Sequence, residues 1–173
     1  MKKIVVVSIL LTSCFSGCTS YVNPNNEIEV SKNIKIETDN YRKIMAYSAP
    51  VISHTNYKNS NQGFIMLQAG KRLKTGEVSY QITLRNHTFH WYFLNTAHDS
   101  EGNQLPVQKI KSDVRCMSSV CSHFEDVNIK VSRHYLEQHQ ENGLMFQVSG
   151  KNGSAEYKIP SAYIKAFLAK VPF

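Results

Sequence analysis

The sequence lacks a long hydrophobic run, a long basic run and any internal repeat. Its most apolar stretch, IVVVSILL at residues 4–11, is much shorter than the roughly 20 apolar residues that a membrane-spanning helix needs. The Lys and Arg residues are scattered, with no run of five or more, which favours an ordinary solvated surface over a nucleic-acid-binding patch. We therefore expect neither a transmembrane helix nor a nucleic-acid partner.

The start of the chain has the layout of an export signal. Lys2 and Lys3 form a short positive segment, the apolar run follows, and small residues then lead to a cysteine. The ending Phe15-Ser16-Gly17-Cys18 resembles the lipobox of bacterial lipoproteins. In that family the cysteine is acylated and becomes the new N-terminus. The resemblance covers only this segment, and it implies that Cys18 is lipidated.

A second cysteine competes with Cys18 as the processing site. Leu11-Thr12-Ser13-Cys14 keeps the Leu that a lipobox usually carries three residues before its cysteine, whereas Phe15 stands at that position before Cys18. Processing at Cys14 would leave Cys18 as an odd thiol in an oxidising compartment, so cysteine pairing favours Cys18. A plain secretory signal is the remaining alternative.

The resemblance also implies a location and a domain organisation. Thr19, rather than Asp, follows Cys18, and in lipoproteins this implies delivery to the outer membrane, either on its periplasmic face or at the cell surface. We expect a signal peptide at 1–17, the lipidated cysteine with a polar tether at 18–26, and one domain at 27–173. The 156-residue product would carry a net charge of +5, which could favour an anionic partner.

Hydrophobic periodicity predicts a domain made mainly of strands. Alternating or apolar segments indicate strands near 27–37, 41–54, 64–69, 77–86, 89–94, 104–115, 126–131, 144–148 and 157–159. Pro50 should interrupt the second segment, and 89–94 reads as a central strand. Ser132 is placed to begin a helix and Ser161 begins another, which ends at Lys170. We expect an α+β fold with a mainly antiparallel sheet of about six to eight strands and two short helices late in the chain, and a β-sandwich or barrel with peripheral helices is the alternative.

The folded part contains one pair of cysteines, Cys116 and Cys121, with four residues between them. In an exported protein these two are expected to form a disulfide at the tip of a hairpin. A redox pair is more often spaced by two residues, and a zinc site would need two further ligands.

Aromatic residues suggest a second candidate site, a groove for a peptide, a lipid tail or a sugar ring. An ordinary hydrophobic core is the alternative interpretation of the same residues. The candidate groove residues are Tyr80, Trp91, Tyr92, Phe93 and Phe146.

The sequence offers no pattern of catalytic or metal-binding residues. His87 and His90 should point to opposite faces of a strand, and His134 and His139 do not share a helical face. His98, Asp99 and Ser100 are consecutive in a turn and cannot converge as a triad must. We expect no metal, no cofactor and no enzymatic activity.

The expected function is binding. We expect a lipid-anchored outer-membrane lipoprotein that acts as a binding, accessory or assembly module in the envelope, with an envelope protein as its partner. The alternatives are a surface module for a host protein, a polysaccharide or a small apolar ligand, and, more remotely, a hydrolase.

Overall fold

The computed structural model describes residues 22–56 and 61–172. In this part of the chain the helices are α1 (Glu27–Lys32), α2 (Arg133–Gln138) and α3 (Ser161–Lys170). The strands are β1 (Lys35–Asp39), β2 (Ile44–Ser48), β3 (Ile52–Asn56), β4 (Asn61–Arg72), β5 (Val78–Thr88), β6 (Leu94–Asp99), β7 (Gln104–Leu105), β8 (Val107–Met117), β9 (Val120–Val131), β10 (Leu144–Gly150) and β11 (Gly153–Ile159). None of these helices has the length and apolar character needed to cross a membrane.

The strands form two antiparallel sheets. The large sheet has the order β1-β2-β4-β5-β9-β8, and β3 also pairs with β4. The small sheet has the order β11-β10-β6-β7. Neither sheet closes into a barrel. The prediction of an α+β fold built on mainly antiparallel sheet is therefore confirmed, although the described residues contain more strands than the six to eight expected.

Pro50 divides one edge of the large sheet into two strands, as the sequence predicts. Strands β2 and β3 lie end to end along β4, with residues 49–51 between them. Proline has no N–H to donate to a strand ladder. A break between the strands at Pro50 therefore costs fewer backbone hydrogen bonds than a break elsewhere. The Tyr163 hydroxyl of α3 donates a hydrogen bond to the Pro50 carbonyl at 2.5 Å, and the exposed edge is thereby tied to the core.

The core lies between the inner face of the large sheet and two coverings. Helix α3 covers one end of that face, where Phe167 packs edge-on against Tyr80 with ring centroids 6.5 Å apart. The small sheet covers the other end, where the Tyr157 ring lies directly over Gly63 and would clash with any Cβ there. Tyr157, Tyr163 and Phe167 are among the largest fully buried side chains. The buried face of α3 therefore closes the core at this end.

The prediction of a strand across 27–37 is wrong for its first half, which is helix α1. The Asn26 side chain accepts a hydrogen bond from the Glu29 amide at 3.2 Å, which caps the helix. Val30 is fully buried, whereas Ile28 is exposed, so the alternation of these two residues did not mark a sheet face. Of the expected tether, residues 18–21 lie outside the described residues, and Val22 already packs against the core.

The prediction of a central strand at 89–94 is also wrong. Residues 89–93 form an irregular segment, and β6 begins only at Leu94. Phe93 has a left-handed backbone conformation with φ of 57°, which is uncommon for a bulky residue. The other strongly patterned elements agree with prediction: β5 covers 77–86 closely, α2 begins after Ser132, and α3 runs from Ser161 to Lys170.

Candidate binding surface

The outer face of the large sheet carries a row of polar side chains. Gln81 Nε2 donates to Gln68 Oε1 at 3.0 Å, and Gln68 Nε2 donates to the Ser48 hydroxyl at 3.2 Å. The Thr83 hydroxyl oxygen lies 2.7 Å from Gln68 Oε1 and 2.8 Å from Asn128 Oδ1. The row thus links strands β2, β4, β5 and β9 and fixes the orientation of its amide groups.

An open, mainly apolar depression adjoins this polar row. Its volume is about 410 Å³. Its lining residues come from β4, β5, β9 and the segment before β3: Val51, Phe64, Met66, Thr83, Arg85, Phe124 and Asp126. Apolar side chains on a solvent-facing sheet surface are costly to leave uncovered, and such a depression is a common feature of binding surfaces.

An ion pair crosses the depression. Arg85 donates from Nε to Asp126 Oδ1 at 2.8 Å and from an Nη to Asp126 Oδ2 at 2.7 Å. This two-point geometry is the strong form of the Arg–carboxylate contact, and the hydrogen bond with Asp126 raises the pKa of Arg85. The Arg85 side chain is 49% exposed, so its remaining donors face outward and can meet an incoming acceptor.

A stack of rings borders the depression on β5 and β9. His87 lies parallel to Phe124 with ring centroids 4.7 Å apart, and the Arg115 guanidinium sits 5.3 Å from the Phe124 centroid. The cation over the ring face is a favourable arrangement. Phe124 is therefore held in one position by contacts on both sides.

The outer face is basic over strands β5, β8 and β9. Pairing places Lys111 opposite Asp126, Arg115 opposite Ser122 and Lys130 opposite Gln81, all on this face. Together with Arg85 these are four cations, and the two carboxylates on the same part of the face are Asp113 and Asp126. The excess of positive charge suits a partner that carries acidic groups.

The structure does not bring the five predicted groove aromatics together in one groove. Tyr80, Tyr92 and Phe146 are buried in the core. Trp91 and Phe93 lie nearer the surface with ring centroids 6.3 Å apart, and Phe93 is exposed. The ordinary-core interpretation thus describes three of these residues, and the other two belong to a separate surface segment.

That surface segment, residues 89–93, is held by a buried carboxylate. Glu125 is 1% exposed and accepts hydrogen bonds from the amides of Tyr92 at 2.8 Å and Leu94 at 3.0 Å. The backbone N–H of Asn152 donates to the Tyr92 carbonyl, and its side-chain Nδ2 donates to the Trp91 carbonyl. These contacts replace the ladder hydrogen bonds of a strand and hold Phe93 in a conformation that costs on the order of 1–3 kcal/mol.

Two buried asparagines, Asn61 on β4 and Asn86, the strand partner of Glu125, have only half of their side-chain hydrogen-bonding groups paired. The Tyr157 hydroxyl donates to Asn86 Oδ1 at 2.6 Å, and the Tyr92 hydroxyl donates to Asn61 Oδ1 at 3.0 Å. The Nδ2 atoms of both asparagines have no partner. Burial is the largest cause of the raised pKa of Tyr157, so its hydroxyl keeps its proton and remains a donor.

The disulfide predicted from the sequence is present. Cys116 and Cys121 are directly opposite each other on β8 and β9 and are bonded to each other. The bond closes the end of the hairpin that projects past the end of β5. Cys18, the predicted lipidation site, lies outside the described residues, as does its competitor Cys14.

The residues considered for catalysis or metal binding do not form a site in the described part of the chain. Within residues 22–56 and 61–172, no three His, Cys, Asp or Glu side chains converge as metal ligands. Asp99 is buried while His98 and Ser100 are exposed, so the three consecutive residues face different surroundings. The Asp99 carboxylate accepts hydrogen bonds from Asn103, Tyr135 and the Glu101 amide.

Sequence reasoning missed Glu125 and the Arg85–Asp126 pair. A signal for Glu125 was available, because it precedes Val127 and Ile129 at the two-residue spacing of the buried face of β9. A carboxylate at such a position predicts a dedicated set of donors. The Arg85–Asp126 pair depends on the register between β5 and β9, which no local pattern reveals.

Comparison of the chain with protein-family models, with curated proteins and with solved structures gave no match.

Proposed function

We propose that the protein is a lipoprotein of the bacterial outer membrane whose folded domain binds another protein of the cell envelope, as an accessory or assembly module. The signal-like N-terminus and the lipobox-like Phe15-Ser16-Gly17-Cys18 support the anchor. The depression on the outer face of the large sheet is the observation that supports binding, because it combines apolar walls with the two-point Arg85–Asp126 pair.

The chemistry of this face suggests the chemistry of the partner. An apolar side chain of the partner would fill the space between Phe64, Met66 and Phe124 and remove those residues from water. An acidic side chain beside it would meet the outward donors of Arg85 and the surrounding positive charge. We therefore propose a partner segment that carries an apolar residue next to an acidic one.

The proposal includes no reaction. Asp99 and Glu125 are the buried carboxylates among the described residues, and hydrogen bonds from neighbouring backbone and side-chain groups engage both. Each is better suited to positioning the chain than to accepting a proton from a substrate.

Photocrosslinking in living cells tests the proposed function. A photoactivatable amino acid replaces Met66, in the depression, within the full-length lipidated protein, and the adduct is identified by mass spectrometry. Met145 is the matched control, since it is an exposed methionine on the small sheet. We expect one dominant adduct with an envelope protein from position 66 and none from position 145, with the crosslinked partner segment containing an acidic residue.

A charge variant adds a second readout. Arg85→Gln should lower the yield of the adduct by about tenfold, because a charge-assisted hydrogen bond contributes on the order of 1.5 kcal/mol. Lys158→Gln, on an exposed position of β11, should leave the yield unchanged. Equal adducts from positions 66 and 145, or a yield that is insensitive to Arg85→Gln, would contradict the proposal.

A further inference from the structure

The domain has two ends that lie far apart. Glu27, which begins α1, borders the same shallow depression as Arg133, which follows the end of β9. Strand β9 runs 12 residues from the hairpin tip to that point, and at the usual rise this places the tip about 35 Å from α1. The chain therefore enters the domain at one end and presents the stapled hairpin at the other.

The end with the hairpin exposes an unusual set of apolar side chains, which we call the aromatic end. Met117 at the tip is 83% exposed, and Phe89 and Phe93 are 56% and 45% exposed. Trp91 packs edge-on against His123 with ring centroids 4.7 Å apart, and Val114 is the strand partner of His123. Met117 and Val120 are paired at the tip and point to the other face of the hairpin, so both faces of this end carry apolar side chains. The aromatic end consists of Phe89, Trp91, Phe93, Val114, Met117 and Val120.

The backbone holds these side chains outward. Glu125 binds the amides of Tyr92 and Leu94, and Tyr92 and Leu94 are buried as a result. Of the residues that alternate with them, Phe93 is exposed, and Trp91 is half-buried against the His123 ring. The disulfide closes the tip beside Met117 and Val120. The exposure is thus a property of an ordered surface.

Basic side chains surround the aromatic end. Arg115 and Lys111 on β8 both lie near Asp113, at 3.6 and 3.8 Å, and Lys151 precedes Asn152, which binds the Trp91 carbonyl. Lys111 is also the strand partner of Asp126, so three cations stand against two carboxylates in this region. This combination of aliphatic tip, aromatic neighbours and flanking cations is typical of a surface that enters an anionic lipid interface.

We propose that the aromatic end docks on an anionic lipid surface. Met117 and Val120 would enter the boundary of the acyl chains, the rings of Phe89, Trp91 and Phe93 would lie at the headgroup level, and Arg115, Lys111 and Lys151 would face the phosphates. A sugar polymer is a poorer fit, because the tip of this end is aliphatic: Val114, Met117 and Val120 offer no flat face on which a sugar ring stacks, although the three rings behind them do. With an N-terminal lipid at the other end, this contact would lay the domain along the membrane.

The single tryptophan of the chain reports this contact directly. Trp91 is the one Trp in the sequence and lies within the aromatic end, so its emission describes no other site. The full-length lipidated protein is reconstituted in two kinds of vesicle, one of phosphatidylglycerol and one of phosphatidylcholine. The acyl chains of both lipids are brominated, so that they quench a nearby tryptophan. The anchor is the same in both, and docking should shift Trp91 emission to shorter wavelength and quench it in phosphatidylglycerol only.

Variants at the tip and at the cations separate docking from other causes. Met117→Asp with Val120→Asp should abolish the quenching, whereas Met145→Asp on the small sheet should not change it. Lys111→Ser and Arg115→Ser should each weaken docking by about fivefold, the usual contribution of one basic residue at an anionic membrane. Unchanged thermal melting verifies that each variant is folded.

Three outcomes would overturn the proposal. They are equal Trp91 emission in the two lipids, quenching that persists in the double Asp variant, and a shift produced by peptidoglycan fragments in place of vesicles. The last would identify a glycan surface. None of these outcomes bears on the crosslink from Met66, so failure of lipid docking is distinguishable from failure of the proposed protein partner.

Discussion

At the scale of single residues, the Glu125 carboxylate holds an irregular segment of backbone in place. Its carboxylate takes the place of a neighbouring strand for the amides of Tyr92 and Leu94. Glu125→Ala should lower the free energy of unfolding by about 3 kcal/mol, because two buried donors would lose their acceptor. Chemical denaturation followed by Trp91 fluorescence measures this change.

Glu156→Ala is the control for that substitution, since Glu156 is an exposed strand residue on β11. Its effect should stay within about 0.5 kcal/mol of zero, as is usual for surface positions. Similar losses for Glu125→Ala and Glu156→Ala would contradict the role assigned to Glu125.

Asp99 makes stability depend on pH in the acid range. Burial alone would raise its pKa, but hydrogen bonds from Asn103, Tyr135 and the Glu101 amide outweigh burial and lower it. A carboxyl whose pKa is lower in the folded state than the unfolded value of about 3.9 stabilises the fold above that value. That contribution is lost as pH falls through the folded-state pKa.

We therefore expect the stability difference between wild type and Asp99→Asn to be largest near neutral pH and to shrink below about pH 4. Urea denaturation at a series of pH values measures it. Tyr135→Phe removes one donor to Asp99 and should move the loss of stability to higher pH. A difference that stays constant from neutral to strongly acid pH would show that the Asp99 pKa is not lowered.

At the scale of elements, the hairpin of β8 and β9 depends on its disulfide. The bond closes a loop of only a few residues, so the chain-entropy model gives it about 2 kcal/mol. Replacing both Cys116 and Cys121 by Ser should lower the free energy of unfolding by no more than this amount. Hydrogen exchange should accelerate first at the tip, because the outermost pairs lie beyond the end of β5.

The redox state of the pair is checked separately. Thiol labelling of the exported protein under denaturing, non-reducing conditions should find no free thiol at residues 116 and 121. Labelling of both would show that the Cys116–Cys121 disulfide is not formed in the purified protein.

Hydrophobic periodicity predicted some helices and strands correctly and missed others. Strand β5 and helix α3 were predictable because each has one buried face and a clean period over about ten residues. Helix α1 was not, since Ile28 and Val30 alternate as in a strand. Its signal was the cap, with Asn26 followed three residues later by Glu29, a pattern related to the capping box.

The prediction of a strand at 89–94 was wrong for a different reason. The alternation of outward and inward side chains in this segment is real, but its amides bind Glu125 instead of a neighbouring strand. That hydrogen bonding depends on a residue more than thirty positions away, so no local pattern could reveal it. Local sequence patterns could not reveal the two candidate surfaces either, because the depression and the aromatic end both depend on the register between strands that are distant in sequence.

At the scale of the whole molecule, the hairpin tip lies far from the point where the chain enters the domain. The chain enters beside α1 and α2, and the aromatic end is about 35 Å away along β9. The outer face of the large sheet runs between them and carries the depression. If the domain is tethered through Cys18 as we propose, it would hold a protein partner on its sheet while the aromatic end contacts lipid.

An acylated Cys18 is the most specific part of the proposed function, because it would place the domain at the outer membrane beside the proposed envelope partner. The most direct measurement is intact and peptide mass spectrometry of the full-length protein purified from bacterial membranes, with Cys14→Ala and Cys18→Ala variants alongside. We expect a mature chain that begins at an acylated Cys18, unchanged by Cys14→Ala and lost in Cys18→Ala. A mature chain that begins at Cys14, or one without acyl groups, would contradict it.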